Sequence, residues 1–336
     1  MTAQRPRPSG LLAIDREMAR QHEDALASFE SNREAAAKVA ASIRNTGRLV
    51  LLGMGASHAV ARAIEPLYRA HGIDAIALPL SEQLGQPLPL AGKSVIVTSQ
   101  SGESAEVLRW FSEAVSQADT FGLTLEAGSF LGRTVPCLVG AGGTELAFAA
   151  TRSLTVTFAL HLAILAALGE DPAAALAALK APETVEIDAA LAALSKVATI
   201  VTSGRKLQGV AEALALGFTE LSRLPCFSLE GGQLRHGPME MLGPKIGVVL
   251  FRGNDPTADL VTAMALSVVE TGAPLIVFEA SGRPATPRLP GRRWASTSRS
   301  PPISATTSSA AGCARRSGTA RRNGRFVPKA PHCRSA

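Results

Sequence analysis

The sequence predicts an α/β protein of two tandem doubly wound units, each a parallel five-stranded sheet between helix layers (three-layer α/β/α). Three observations predict it. RLVLLGMGASHAV (48–60) reads as a buried strand, a glycine turn and a helix; SVIVTSQSGESAEVLRWF (94–111) repeats that order; VATIVTSGRKLQGVAEALALGF (197–218) restarts it later in the chain. Strands that alternate with helices lie parallel, with helices covering both faces. At 336 residues, 46% hydrophobic and 18% charged, the chain can bury a core, and two packed units are expected rather than one.

Taken in order, residues 1–46 form an N-terminal helical segment. From Asp15 to Asn45 it is amphipathic, with Leu26, Phe29 and Val39 set among charges. The first unit is expected over 47–170, with a further short strand near Phe121–Leu125 and a long apolar helix from about Phe148 to Leu168. Within that helix the apolar stretch Leu154–Leu168 contains Thr155, Thr157 and His161 and is too short to span a bilayer. Residues 171–190, Ala/Pro-rich, read as a helical linker. A second unit over 191–282 adds strands in KIGVVLFRGN and APLIVFEASG, with a helix from about Thr257 to Glu270 between them. The matching strand–turn–helix patterns imply two copies of one α/β unit.

From residue 283 to 336 Arg, Ser, Pro and Ala dominate, a composition that cannot bury enough surface to offset its ordering entropy. It is the composition of a disordered tail, or of a GC-rich gene translated in a shifted frame. It supplies neither the strand nor the covering helix that would complete the second unit, so that unit is expected to be incomplete.

Charge divides the same way. Residues 1–282 carry 22 Lys and Arg against 28 Asp and Glu, net −6, while the last 54 residues carry 12 basic side chains and no acid. A nucleic-acid-binding protein would place its positive charge on the folded part, so nucleic acid is not an expected partner. Cys137, Cys226, Cys313 and Cys333 lie far apart, without a C-x-x-C pair, which argues against structural zinc and a disulfide framework. MTAQRPRPSG lacks the apolar core of a secretory signal, and a reducing cytoplasm is the expected location.

Chemistry concentrates in three places. Thr98-Ser99-Gln100-Ser101-Gly102-Glu103-Ser104 follows an apolar strand directly. A strand-to-helix junction offers free N–H groups and the positive end of a helix dipole, and a hydroxyl-rich loop there can hold a phosphate. An N-cap accounts for one serine but not for three. Neither a Walker A lysine nor G-x-G-x-x-G accompanies it, so a nucleotide is not the expected ligand. Gly53-Met54-Gly55-Ala56-Ser57 forms a similar junction one strand earlier, placing two strand ends on one ligand at the carboxyl edge of the sheet.

The second place is the helix from Leu207. Its stripe Leu207, Val210, Ala211, Leu214, Phe218 and Leu221 is apolar, while Glu220 lies opposite among Gly209, Ala213, Leu216 and Gly217. So few charges on that side place Glu220 in a packed cleft, the setting a general base needs, or beside a subunit contact. The third is His236, in Gly-Gly-Gln-Leu-Arg-His-Gly-Pro (231–238), an irregular loop where an imidazole can exchange protons near neutrality.

Together these segments resemble the tandem sugar isomerase (SIS) domain family. The resemblance covers Arg48–Glu279 and rests on SQSGES (99–104), RHGP (235–238) and ELAFAATR (145–152). It implies a hexose 6-phosphate or aminosugar phosphate as partner, held by Gly55, Ser57, Ser99, Gln100, Ser101 and Ser104. It implies that Glu220 moves a proton between C1 and C2 and that His236 opens the sugar ring. In the family that histidine comes from the partner subunit, which implies a homodimer. Enolisation beside a carbonyl requires no metal or organic cofactor, and none is expected. Ala56, Ala150 and Gly217 depart from family positions that carry hydroxyls or a lysine. The C-terminal lysine with which the family forms a Schiff base has no counterpart, since Lys329 sits in no matching motif. The expected activity is aldose–ketose isomerisation with loss or exchange of a 2-amino group. The alternative is a phosphosugar-binding regulator without catalysis, or an inactive product of a shifted reading frame.

Overall fold

Two sheets of the same strand order organise the residues that the computed structural model describes, 7–113, 119–279 and the backbone of 284–285. The chain opens with α1 (Ser9–Ser31) and α2 (Arg33–Thr46). The first sheet follows: β1 (Arg48–Gly53), α3 (Gly55–Ala70), β2 (Asp74–Pro79), β3 (Ser94–Thr98), α4 (Ala105–Glu113), β4 (Asp119–Thr124), α5 (Phe130–Thr134), β5 (Cys137–Val139) and α6 (Arg152–Leu168). Helices α7 (Ala173–Lys180) and α8 (Asp188–Leu194) lead to the second. It comprises β6 (Thr199–Gly204), α9 (Gln208–Ser222), β7 (Cys226–Ser228), α10 (Gly231–Arg235), β8 (Ile246–Arg252), α11 (Ala258–Glu270), β9 (Leu275–Glu279) and β10 (Pro284–Ala285).

The first sheet is ordered β2-β1-β3-β4-β5 and is parallel throughout. The second, β7-β6-β8-β9-β10, repeats that order, with four parallel strands and a two-residue β10 antiparallel to β9. The expected fifth parallel strand is therefore replaced by a short antiparallel edge. The Arg/Ser/Pro tail lies otherwise outside the described residues.

Burial on both faces explains why these strands read as apolar runs rather than as alternation. All five residues of β3 are buried. Successive side chains point to opposite faces. Leu49, Leu51 and Ile96 meet Phe29, Val39, Ile43, Tyr68, Leu160 and Ile164 from α1, α2, α3 and α6. Val50, Leu52, Val95 and Val97 meet Val107, Trp110 and Leu131 on the other side. In the second sheet Val248 and Leu250 pack under α11, and Ile200 and Val249 under α8 and α9.

The expected N-terminal helix is two helices. Asn32 interrupts it, donating to the Val139 carbonyl and accepting from the Val139 N–H, both at 2.9 Å, so a tertiary contact sets the break. Within the expected linker, α8 buries Ala190 in the second core. The two sheet units meet where α3 crosses α9. A Cβ at Gly209 would stand 2.1 Å from the Ala63 nitrogen and 2.6 Å from the Ala59 carbonyl oxygen, so the two backbones touch. Among the described residues no helix is long and apolar enough to cross a membrane.

Candidate functional site

The strand order reverses between β1 and β3, and both chains leave the sheet there in the same direction. Open α/β sheets bind ligands at such a switch point, outside the carboxyl ends of the strands. The segment after β3 is fixed by its backbone. Ser99 N–H donates to the Leu123 carbonyl (3.0 Å), the Gln100 carbonyl accepts from Leu125 N–H (3.0 Å), and Gly102 N–H closes on the Ser99 carbonyl (3.1 Å). Gly102 has φ +63°, and a Cβ there would fall 2.0 Å from Ser129 Oγ, so the turn admits only glycine. Ser104 is the N-cap of α4, its Oγ accepting from Val107 N–H at 3.4 Å, and Ser101 Oγ accepts from Glu103 N–H at 3.3 Å.

Ser57 and Ser99 are buried and Gln100 half-buried, and none of their side-chain polar groups bonds another described residue. Their polar groups are available to a ligand. The start of α3, Gly55 (φ +51°) to Ser57, faces the same space, and no side chain caps that helix. Its free N–H groups and dipole favour an anion.

These residues line one cavity of about 390 Å³. Its floor is Gly55, Ala56, Ser57, Thr98, Ser99, Gln100, Ser101 and Ser104. One wall is the segment before α6, with Glu145, Ala147, Phe148 and Ala150; the other is α9, with Leu216 and Glu220. The volume falls within the roughly 300–1,000 Å³ of small-molecule sites. No lysine or arginine lines it among the described residues.

The geometry explains why Glu220 reaches a cavity built on the first sheet. Leu214 and Phe218 face the second core, while the small-residue side of α9 lies against α3 at Gly209. Residues 216 and 220 continue that side, about two and three turns further along α9, where they line the cavity. Glu220 is half-buried.

Seven of the eight sequence-predicted residues thus meet in one place: Gly55, Ser57, Ser99, Gln100, Ser101, Ser104 and Glu220. His236 does not. It follows α10, is exposed, and stands before Gly237 at φ +110°. Leu216 and Phe148 line the cavity unforeseen. Leu216 carried no signal beyond its place on the wheel, and Phe148 was expected inside the long helix.

Helix α6 begins instead at Arg152, because the preceding segment is tied down. Glu145 accepts from Thr151 N–H (2.9 Å), Thr151 Oγ1 (2.8 Å), Ser153 N–H (3.4 Å) and Ser153 Oγ, occupying the N–H groups at the helix start. Glu17 of α1 accepts from Leu146 N–H at 3.0 Å and from Arg152 Nε at 2.6 Å. Burial alone would raise the Glu17 pKa, but the Leu146 N–H, Arg152 and Arg20 outweigh it and hold the carboxyl below the ordinary 4.5.

Comparison with known proteins places the fold. No protein-family profile matches the chain. A curated relative, the glutamine–fructose-6-phosphate aminotransferase (isomerizing) of Legionella pneumophila, is 30% identical over 200 residues, which are 54% of this chain and 33% of that protein. The match thus spans about a third of the relative. Among solved structures, the C-terminal domain of glucosamine-fructose-6-phosphate aminotransferase from Francisella tularensis superposes with TM-score 0.67 at 19% identity, covering 80% of this chain and 84% of that one. Glucosamine-6-phosphate deaminase from Thermotoga maritima gives TM-score 0.66 at 21% identity, covering 80% and 86%. The chain has the doubled α/β fold of the sugar isomerase (SIS) domain proteins.

Proposed function

We propose that this chain is a phosphosugar enzyme that interconverts aldose and ketose forms of a hexose 6-phosphate, releasing the 2-amino group when the substrate is an aminosugar. One observation carries the reading. Neutral hydroxyl and amide donors after β1 and β3 and the carboxylate of Glu220, contributed by a helix of the other sheet unit, line the same cavity. The phosphoryl group sits on the N-termini of α3 and α4, with Ser57, Ser99, Gln100, Ser101 and Ser104 as donors. Residues 47–170 then supply the anchor and residues 191–282 the acid–base chemistry.

With its phosphate fixed, an open-chain hexose extends C1 and C2 toward α9. Glu220 takes the proton from C2 of the aldose; the C–H electron pair forms the C1–C2 double bond and pushes the carbonyl pair onto O1, giving an enediolate. A proton passes from the O2 hydroxyl to O1, and Glu220 returns its proton to C1 as the O2 electron pair forms the new carbonyl, giving the ketose. From glucosamine 6-phosphate the same shift leaves an imine at C2. Water hydrolyses it to ammonia and fructose 6-phosphate. His236, reaching the site from the second subunit of a homodimer, exchanges the proton that opens the ring. The curated relative named for glutamine–fructose-6-phosphate amino transfer and the neighbour named a glucosamine-6-phosphate deaminase support this substrate class.

The test is incubation with glucosamine 6-phosphate, assaying ammonia and fructose 6-phosphate. Glu220→Gln is expected to lower turnover by about 10²–10⁴-fold, the usual worth of a positioned general base. Unchanged turnover rejects the assignment. A second reading, a phosphosugar-binding regulator, is favoured by the exposed His236 and by a lining that holds no lysine among the described residues. Calorimetric binding of fructose 6-phosphate without turnover would decide for it.

A further inference from the structure

Arg152 is fully buried (0% exposed), and four of the five N–H donors of its guanidinium are used. Nε donates to Glu17 Oε2 at 2.6 Å, Nη1 to Asp24 Oδ2 at 3.2 Å and to the Ala141 carbonyl at 2.9 Å, and Nη2 to the Gly143 carbonyl at 2.6 Å. The chain lies directly on this cluster. A Cβ at Gly142 (φ +91°) would fall 2.2 Å from Asp24 Oδ2 and 2.6 Å from Arg152 Nη1. Around it α1 holds the same segment by further bonds: Ser28 Oγ accepts from Ala141 N–H (2.8 Å), and Glu17 Oε1 accepts from Leu146 N–H (3.0 Å).

Stability does not account for this arrangement. Desolvating a guanidinium and two carboxylates is expensive, and well-packed apolar side chains in place of buried ion clusters are often neutral or stabilising. What apolar side chains could not do is grip two backbone carbonyls and an amide of one irregular segment. That segment ends in Ala147, Phe148 and Ala150, a wall of the candidate site, whereas α1 itself contributes nothing to the lining.

We propose that Arg152 and Glu17 are positioning residues for the sugar-facing wall: acting through the backbone of 141–146, they set where Ala147, Phe148 and Ala150 stand, so that α1 governs affinity for the sugar without touching it. The inference rests on the reading of this cavity as a phosphosugar site. The phosphate donors after β1 and β3 belong to other elements and are not gripped by the cluster. Positioning and simple anchoring therefore predict different results.

The experiment compares the full chain with Glu17→Ala, Glu17→Gln and Arg152→Lys, by calorimetric titration with fructose 6-phosphate and with inorganic phosphate and by amide hydrogen exchange. In Glu17→Ala the Leu146 amide loses its acceptor. Exchange across 141–148 is expected to rise while exchange at 99–104 stays unchanged. The Kd for fructose 6-phosphate should rise about tenfold or more, since small misplacements remote from the reacting atoms are costly, and that for inorganic phosphate should stay within twofold. Glu17→Gln, whose amide oxygen still accepts from Leu146 N–H, should recover most of the sugar affinity. Arg152→Lys keeps the charge but gives up the carbonyl pair, and should show the same selective loss if Glu17→Ala fails to fold. Parallel weakening for both ligands, or wild-type sugar affinity in a variant whose 141–148 segment exchanges freely, overturns the proposal. Wild-type protein that binds inorganic phosphate but not fructose 6-phosphate overturns the phosphosugar reading itself, and the positioning role with it.

Discussion

The imidazole of His161 is wholly enclosed on α6, with Nδ1 3.0 Å from the Tyr68 hydroxyl and Nε2 without a partner. Burial pushes its pKa down from 6.5 to about 3 and drives the Tyr68 phenol up. The folded chain therefore keeps His161 neutral at a pH where an unfolded chain takes up a proton. Between pH 6.5 and about 3 the unfolded state binds more protons, so folding stability contributed at this site is complete above pH 6.5 and is lost progressively as pH falls. His161→Gln, which still offers Tyr68 a hydrogen-bonding partner, is expected to flatten that slope. Urea midpoints measured from pH 7 down to 4 read it, and parallel curves for variant and wild type would refute the assignment.

At the scale of elements the decisive contact is the crossing of α3 and α9. Any side chain at position 209 must push the two helices apart, because its Cβ would enter the backbone of Ala59–Ala63. Gly209→Val is expected to cost about 1–3 kcal/mol, the usual range for overpacking. It should also displace Glu220 from the cavity, so turnover of glucosamine 6-phosphate falls by more than the melting temperature alone would suggest. Wild-type turnover in a folded Gly209→Val chain would contradict the geometry.

Much of this was legible in the residues. The strands β1, β3, β6, β8 and β9 are buried on both faces and announced themselves as aliphatic runs, and glycine after a strand marked the switch point. The shorter strands did not. β5 and β7 have three residues each, too few for any period, and β2 alternates with alanines at 75 and 77, which carry little hydrophobic signal. The hydroxyl loop and Glu220 were readable because their residue types are unusual where they stand. The wall at 145–150 was not, since its path is set by side chains more than a hundred residues earlier, Glu17 and Asp24 on α1. A helical period extended through Phe148 hid a segment that tertiary bonds hold out of the helix.

At the scale of the whole molecule, the proposed role of His236, which is exposed while Glu220 is half-buried in the cavity, requires a second copy of the chain to supply it. A two-fold dimer makes the exchange reciprocal. Mixing Glu220→Gln with His236→Ala chains, each inactive alone, should then restore about a quarter of wild-type turnover, because half the dimers are mixed and each mixed dimer regains one of two sites. Refolded mixtures assayed for ammonia release test this. No recovery, with dimers verified by sedimentation, would place the histidine elsewhere.

A lining that holds no lysine or arginine among the described residues has a consequence for selectivity. A basic pocket attracts any multivalent anion and loses its grip as counterions crowd in, with affinity falling steeply in salt. Here the donors are uncharged, and the ionisable side chains that line the cavity among the described residues, Glu145 and Glu220, repel a dianion when ionised. Raising sodium chloride from 50 to 500 mM should leave phosphosugar affinity level or slightly improved. A hydroxyl array of this kind would select its ligand by shape and hydrogen bonding rather than by charge, and would pass over nucleotides in a crowded mixture.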